Sequence, residues 1–391
     1  MADRQLADPN YKQAIIERAV TLGQNGFPAL AVQRNNLRGK TVYQLKDLSE
    51  RLVVRHINRN IRRLTGVKQD NREFIIKCVS GFLSEGTRYR AYKFDVKAFY
   101  ESVSPIEIVR DLEADEGFSG QSAAALSSFF VEMGKLGVTG LPRGLGLSAT
   151  LAEYLLRPFD ARVSDMAHVW FYARFVDDIF IITDGNEDQS RFTHDVAAAL
   201  PSGLTFNSKS TAFTFDEYRN GSSGVAHAFD FLGYRFTVNR PERRRVDSRI
   251  GRQVMLDIAP SKVRRIKTRI ALSLVQFKKD HSYADLVARI RLLTSNFNFI
   301  DRGTGVRRVA GIYFNYPLVD FDRSTALPSL DKFLRNSVLS NHPKNHVYPA
   351  VTAAERRGLA QLSFSDGFKD RRFFSFGPAR LVELTACWSH A

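Results

Sequence analysis

Two adjacent acids, Asp177 and Asp178, sit between two apolar, aromatic-rich runs, residues 170–176 and 179–182. Each run reads as a buried strand, so the acids fall at the bend of a hairpin. Neighbouring carboxylates repel, and burying them between strands is costly. A divalent cation would reverse that cost, because hard cations take carboxylate oxygens. Asp-Asp pairs are common, so alone the stretch slightly favours an ordinary Asp-rich turn. Asp95 adds a third acid inside a second apolar strand, residues 92–100. It needs a partner there, and a metal shared with Asp177 would supply one. Two strands that bring acids to one point suit two-metal phosphoryl or nucleotidyl transfer. One ion activates the attacking oxygen and the other stabilises the departing pyrophosphate.

The elements that must position these acids follow from periodicity. Ile15, Ile16, Ala19 and Leu22 predict a helix over 11–22, followed by a loop at 23–28. Leu45, Leu48, Leu52, Ile57, Ile61 and Leu64 predict a helix over 43–65, with Arg51, Arg55, Arg59 and Arg62 as a basic stripe. Further helices are expected over 72–83, over 106–137 with a break at 117–120, and from the turn at 141–146 to Leu156, stopped by Pro158. A helix near 187–200 and a strand at 204–208 follow the hairpin. From Asp95 onward the order is strand, helix, strand, strand, helix, strand, a split βαβ arrangement. Beyond a strand at 231–236, Val263, Ile266, Ile270, Leu274 and Phe277 step by three and four. Leu286, Ile290, Leu293, Phe297 and Ile300 repeat that helical pattern. The last 90 or so residues read as short helices with Tyr and Phe clusters.

Composition narrows the class. The chain has 391 residues, 44% of them hydrophobic, enough for one large core or two to three smaller ones. No apolar stretch approaches the roughly 20 residues that span a bilayer, and the N-terminus has no apolar signal core. Cys78 and Cys387 are the only cysteines, which argues against a disulfide framework and a cysteine zinc site. A cytoplasmic location is the expectation. The net charge is +16, and it is concentrated. Residues 240–279 hold 13 Lys or Arg against 3 acids, and residues 51–72 hold 7 against 1. Two basic blocks flanking an acidic centre suit a phosphate backbone.

Five segments in order carry a resemblance to reverse transcriptases. Phe94-Asp95-Val96-Lys97-Ala98-Phe99-Tyr100 resembles their first catalytic motif, and Phe175-Val176-Asp177-Asp178 their aromatic-x-Asp-Asp motif. Leu141-Pro142-Arg143-Gly144 lies where the family has Pro-Gln-Gly. Residues 204–208 with Lys209 are similar to the Asn-x-Lys segment, and Phe231-Leu232-Gly233-Tyr234 to the primer grip. The resemblance covers about residues 40–240. It implies an α+β right-hand polymerase: fingers and N-terminal helices (1–90), palm (91–240, with a finger insertion near 104–140), thumb helices (241–300) and a helical C-terminal extension (301–391).

The resemblance also implies roles. Asp95, Asp177 and the backbone carbonyl of Val96 would hold two Mg²⁺ (or Mn²⁺) ions, with Asp178 peripheral. Tyr100 would be the aromatic steric gate that favours dNTPs by clashing with a 2′-hydroxyl. Arg143, Gly144, Arg55 and Arg72 would contact the nucleotide, and Lys209 would protonate the departing pyrophosphate. Arg143 replaces the family's usual Gln. Lys262, Arg264, Arg265, Lys267 and Arg269 would face a duplex.

Implied partners are an RNA template (a dedicated non-coding RNA among the options), a DNA product and dNTPs, with a homo-oligomer or companion defence protein also compatible. No membrane partner is expected. The Phe99-Tyr100-Glu101-Ser102 run, the Pro142-Arg143-Gly144-Leu145-Gly146 loop and the basic helical tail resemble bacterial defence-associated and abortive-infection enzymes; retron and diversity-generating types are alternatives, as is template-independent DNA synthesis. An RNA polymerase or cyclic-dinucleotide synthase on the same palm is disfavoured by Tyr100, and a non-catalytic RNA-binding scaffold by the three intact acids.

Overall fold

The computed structural model describes residues 7–37, 39–208, 210–243, 249–300, 306–340 and 351–389. The chain divides into two units: residues 1–75 with 88–216, and residues 76–87 with 217–391.

The first unit is built around β3 (Tyr89–Asp95), whose Tyr89, Ala91, Tyr92 and Phe94 are buried. A strand this apolar belongs in the middle of a sheet, and β3 lies between β5 (Asp178–Thr183) and β6 (Thr211–Phe215). With β4 (Val169–Phe175) they form an antiparallel sheet of order β4-β5-β3-β6. Ahead of β3 come α1 (Pro9–Asn25), the hairpin β1 (Val32–Leu37) and β2 (Lys40–Leu45), α2 (Leu48–Thr65) and α3 (Arg72–Leu83), which belongs to the second unit from Ile76 onward. Between β3 and β4 run α4 (Phe99–Ser102), α5 (Pro105–Glu113), α6 (Gly120–Lys135) and α7 (Gly146–Ser164). Helix α8 (Gln189–Ala198) joins β5 to β6. The strand and helix order expected from Asp95 onward is therefore present.

Several local expectations are corrected. The β1–β2 hairpin replaces the start of the helix expected from residue 43. Its strands are largely exposed, so they show no buried alternation. Strand β3 ends at Asp95 and does not reach Tyr100. Ala98 takes a left-handed φ of 44°, and the four-residue α4 begins at Phe99. Pro158 does not stop α7, which runs to Ser164 because Phe159 and Val163 beyond it are buried in the core. The strand expected at 204–208 is a single bridge, Val96 to Phe206, and the full strand is β6.

The second unit contains a three-stranded antiparallel sheet of order β11-β8-β7, made of β7 (Val225–Phe231), β8 (Tyr234–Asn239) and β11 (Val254–Ile258). The short pair β9 (Glu242–Arg243) and β10 (Ile250–Gly251) precedes β11. Residues 231–236 are thus a hairpin tip between two strands, not one strand. Helix α9 (Pro260–Asp280) is followed by α10 (Tyr283–Thr294). The expected continuation to Ile300 is instead β12 (Asn296–Ile300), paired with β13 (Arg307–Gly311). Asn296 explains the break. It is buried, its amide donates to the carbonyls of Gly367 and Arg372, and its side-chain oxygen accepts from the backbone of Tyr313 and Phe314. Four tertiary hydrogen bonds outweigh a helical turn. The end of the chain carries α11 (Ala326–Leu339), α12 (Ala353–Ala360), α13 (Phe364–Lys369) and α14 (Pro378–Thr385). Among the described residues, no helix is long and apolar enough to cross a membrane.

Candidate active site

Strands β4 and β5 pair up to Phe175 and Asp178, leaving Val176 and Asp177 as a two-residue turn. Such turns need a positive φ at their first position, where glycine is usual. Here Val176 takes φ 61°, an unfavourable conformation for a β-branched residue. Its surroundings hold it. Arg174, on β4, is buried and donates to the carbonyl of Val176 at 3.2 Å. The same guanidinium grips both carboxylate oxygens of Asp160, at 2.8 and 2.7 Å, and Glu153 at 2.7 Å. Tyr172 adds a 2.5 Å bond to Asp160. Burial alone would lower the Arg174 pKa, but its two carboxylate partners raise it overall, so it stays charged. Burial also pushes Glu153 up, against the pull of Arg174.

Three segments meet at this turn. Asp95, the last residue of β3, lies opposite Asp178. The next residue, Val96, donates its N–H to the carbonyl of Asp177 at 3.1 Å. Asn207 donates its backbone N–H to the Asp95 carbonyl at 2.7 Å and its side-chain amide to the Asp95 carboxylate at 3.2 Å. Burial pushes the Asp177 carboxyl above the usual aspartate range. A backbone hydrogen bond opposes that rise, the charge of Asp95 adds to it, and Lys40 and Arg143 oppose it.

Among the described residues, no three His, Cys, Asp or Glu side chains form a ready-made metal cage. A carboxylate pair still fits Mg²⁺, which keeps several waters and is commonly held by one or two carboxylates together with substrate phosphates. Asp95 and Asp177 are the residues suited to that role. Their mutual repulsion is what a cation would relieve.

Beside the acids, Tyr100 and the 140–144 turn are locked together. Leu141 donates to the Tyr100 carbonyl at 2.7 Å, and the Arg143 carbonyl accepts from Tyr43 on β2 at 2.8 Å. Gly144 has φ 94°, and a Cβ there would lie 2.4 Å from Val42 Cγ1, so this position requires glycine. Arg143 forms a bidentate pair with Glu101, at 2.7 and 2.8 Å. Its guanidinium carbon sits 4.7 Å from the Tyr100 ring centroid. The hydrogen bonds from Arg143 hold Glu101 below the usual glutamate range. Burial raises Tyr100, with the Arg143 charge opposing and Asp177 adding to the rise.

Residues 45–236 match the family described as reverse transcriptase (RNA-dependent DNA polymerase). No curated protein matches the chain. The matched segment contains every residue of the acidic turn, and Tyr100 as well. It ends at Phe236, just past Tyr234, and leaves out α9 and all that follows.

The remaining expected residues are dispersed. Within the matched segment, Arg55 lines a basic cavity of about 430 Å³ with Arg59, Arg62, Arg63 and Lys68. Arg72 stands in the first turn of α3. Lys209 lies outside the described residues. In the second unit, Phe231 ends β7 and Tyr234 begins β8, both fully buried, so only Leu232 and Gly233 form the tip. On α9, Arg264 is exposed, and Lys262 and Arg265 are half-buried. Lys267 donates to Ser329 at 2.8 Å and Arg269 stacks on Trp388, so these two engage internal partners instead of presenting an open basic face. Sequence reasoning missed Lys40, Glu101 as the partner of Arg143, and Arg174. Lys40 is brought in by an exposed hairpin with no periodic signal. A charged residue within the apolar run before Asp177 was the available sign for Arg174.

Proposed function

We propose that the chain is an RNA-directed DNA polymerase, in which a 3′-hydroxyl or a protein hydroxyl attacks the α-phosphate of a dNTP. The observation that carries this reading is the meeting of Asp95 and Asp177 on a buttressed, strained turn inside the matched segment. Bound Mg²⁺ would supply charge stabilisation for the attacking and departing oxygens. The chain's own residues do the rest. Asp95, Asp177 and the Val96 carbonyl would hold the ions, and Asp178 would be peripheral. Tyr100 excludes a 2′-hydroxyl, and Lys40 and Arg143 offset negative charge beside the acids. Leu232 and Gly233 approach the primer end, and Lys209 provides a proton for pyrophosphate. In this reading residues 1–90 are fingers, 91–240 palm and 241–300 thumb, and the tail to 391 is an extension.

A role in bacterial antiphage defence, acting in the cytoplasm, is part of the same proposal. It is supported by the Phe99-Tyr100-Glu101-Ser102 run and the Pro142-Arg143-Gly144 loop. The test is extension of a primed RNA by labelled dNTPs with Mg²⁺, together with sequencing of the nucleic acid that co-purifies. Template-dependent DNA synthesis that is lost in Asp95→Ala supports the reading. Undiminished synthesis by Asp177→Asn overturns it.

A further inference from the structure

We propose that Glu101 and Arg143 form a latch on Tyr100, so that sugar discrimination belongs to three residues and not to one ring. This rests on the reading of Tyr100 as the gate. A steric gate discriminates only as far as its ring resists displacement. The Tyr100 ring meets Phe99 edge-on at 5.5 Å, and Phe99 is buried and cannot give way. The Arg143 guanidinium lies over the ring at 4.7 Å. A planar, permanently charged group is suited to that stacking.

The latch is anchored at both ends. The main chain of residue 143 cannot drift, because its carbonyl is tied to Tyr43 and Gly144 fills its space against Val42. Ser148 holds the preceding Pro142 carbonyl at 2.7 Å. At Gly140 a Cβ would come within 2.1 Å of the Tyr100 carbonyl, so the loop also touches the backbone of the gate itself. The side chain of Arg143 is then fixed by two charge-assisted bonds to Glu101. Gln at 143 would be shorter, would carry no charge over the ring, and could not make the paired bonds to Glu101. Arg at this position therefore stiffens the gate.

The experiment measures single-nucleotide incorporation by the full chain with Mg²⁺ and compares kcat/KM for a dNTP and the matching rNTP. Tyr100→Ala should collapse the ratio. Glu101→Gln and Arg143→Gln should each lower it roughly tenfold. The double variant should lower it no further than the worse single variant, and Arg143→Lys should fall between. Glu101 has a half-exposed side chain, so its substitution tests the latch without disturbing the core. If Tyr100→Ala lowers the ratio and both latch variants leave it intact, the latch is overturned and the gate stands. A change in KM for both sugars with an unchanged ratio also overturns it, making Arg143 a phosphate contact. If Tyr100→Ala leaves the ratio unchanged, the gate reading fails and the latch with it.

Discussion

The tips of two hairpins, Val176–Asp177 and Leu232–Gly233, solve the same geometric problem with different means. Both are two-residue turns between antiparallel strands. At the second, Leu232 and Gly233 have φ 44° and 83°, and the residue with the larger positive φ is glycine. At the first, the positive φ falls on Val176. No glycine relieves it; Arg174 holds its carbonyl and Val96 holds the carbonyl of Asp177. The Gly233 carbonyl has one such tie, from Ala259 at 3.1 Å. At the tip proposed to approach the primer end, glycine carries one of the two positive φ angles. A turn that must present a carboxylate at a set point is fixed by its surroundings, and strain concentrates there.

The largest effect that would break this comparison is at Asp177. Asp177→Ala should lower DNA synthesis by roughly 10³-fold or more, since metal-ion catalysis contributes several kcal/mol. In chelator, Asp177→Asn should at the same time raise the unfolding temperature. Burial raises the carboxyl pKa in the folded state, so the ionised group destabilises the fold above that pKa and has no such effect well below the ordinary aspartate value. Loss of both activity and stability would instead make the turn a purely structural element.

Next comes the buttress. Arg174→Met would leave Glu153 and Asp160 without their cation, and denaturant unfolding should show a loss of about 3–5 kcal/mol. Arg174→Lys keeps the charge, and should lose less stability while still weakening the tie to Val176. A smaller contrast separates the two tips. Gly233→Ala should cost about 1–2 kcal/mol, the usual penalty for a left-handed side chain. Val176→Gly relieves a similar penalty and adds about 0.5–1 kcal/mol of chain entropy cost, so it should be near neutral in stability. An equal loss at both sites would show that Val176 is not strained.

The smallest expected effect is with pH. Glu101 is held below its ordinary value by Arg143, so the pair contributes fully above the unfolded glutamate pKa and is lost as pH falls through the lower folded one. The dNTP/rNTP ratio should therefore be flat from neutral pH down to about 5. A decline beginning near neutrality would point to a different titrating group.

Much of the site was legible in order along the chain. Asp95, Asp177 and Asp178 stood out because charged residues inside apolar strands are costly without a purpose, and the strand and helix order follows from periodicity. The amphipathic α2 and α9 were likewise visible in their three-and-four spacing. Local pattern failed where long-range contacts decide the outcome. Pro158 reads as a stop, yet burial of Phe159 and Val163 carries α7 past it. Phe297 and Ile300 continue a helical spacing, yet the bonding of Asn296 pulls that segment into β12. Lys40 reaches the acids only because an exposed hairpin folds there, and Arg143 meets Tyr100 and Glu101 across some 40 residues. The sequence by itself determined which residues could do chemistry, since that depends on side-chain type and local environment. Only the tertiary structure decided which of them meet, because distances between segments far apart in the chain are set by packing.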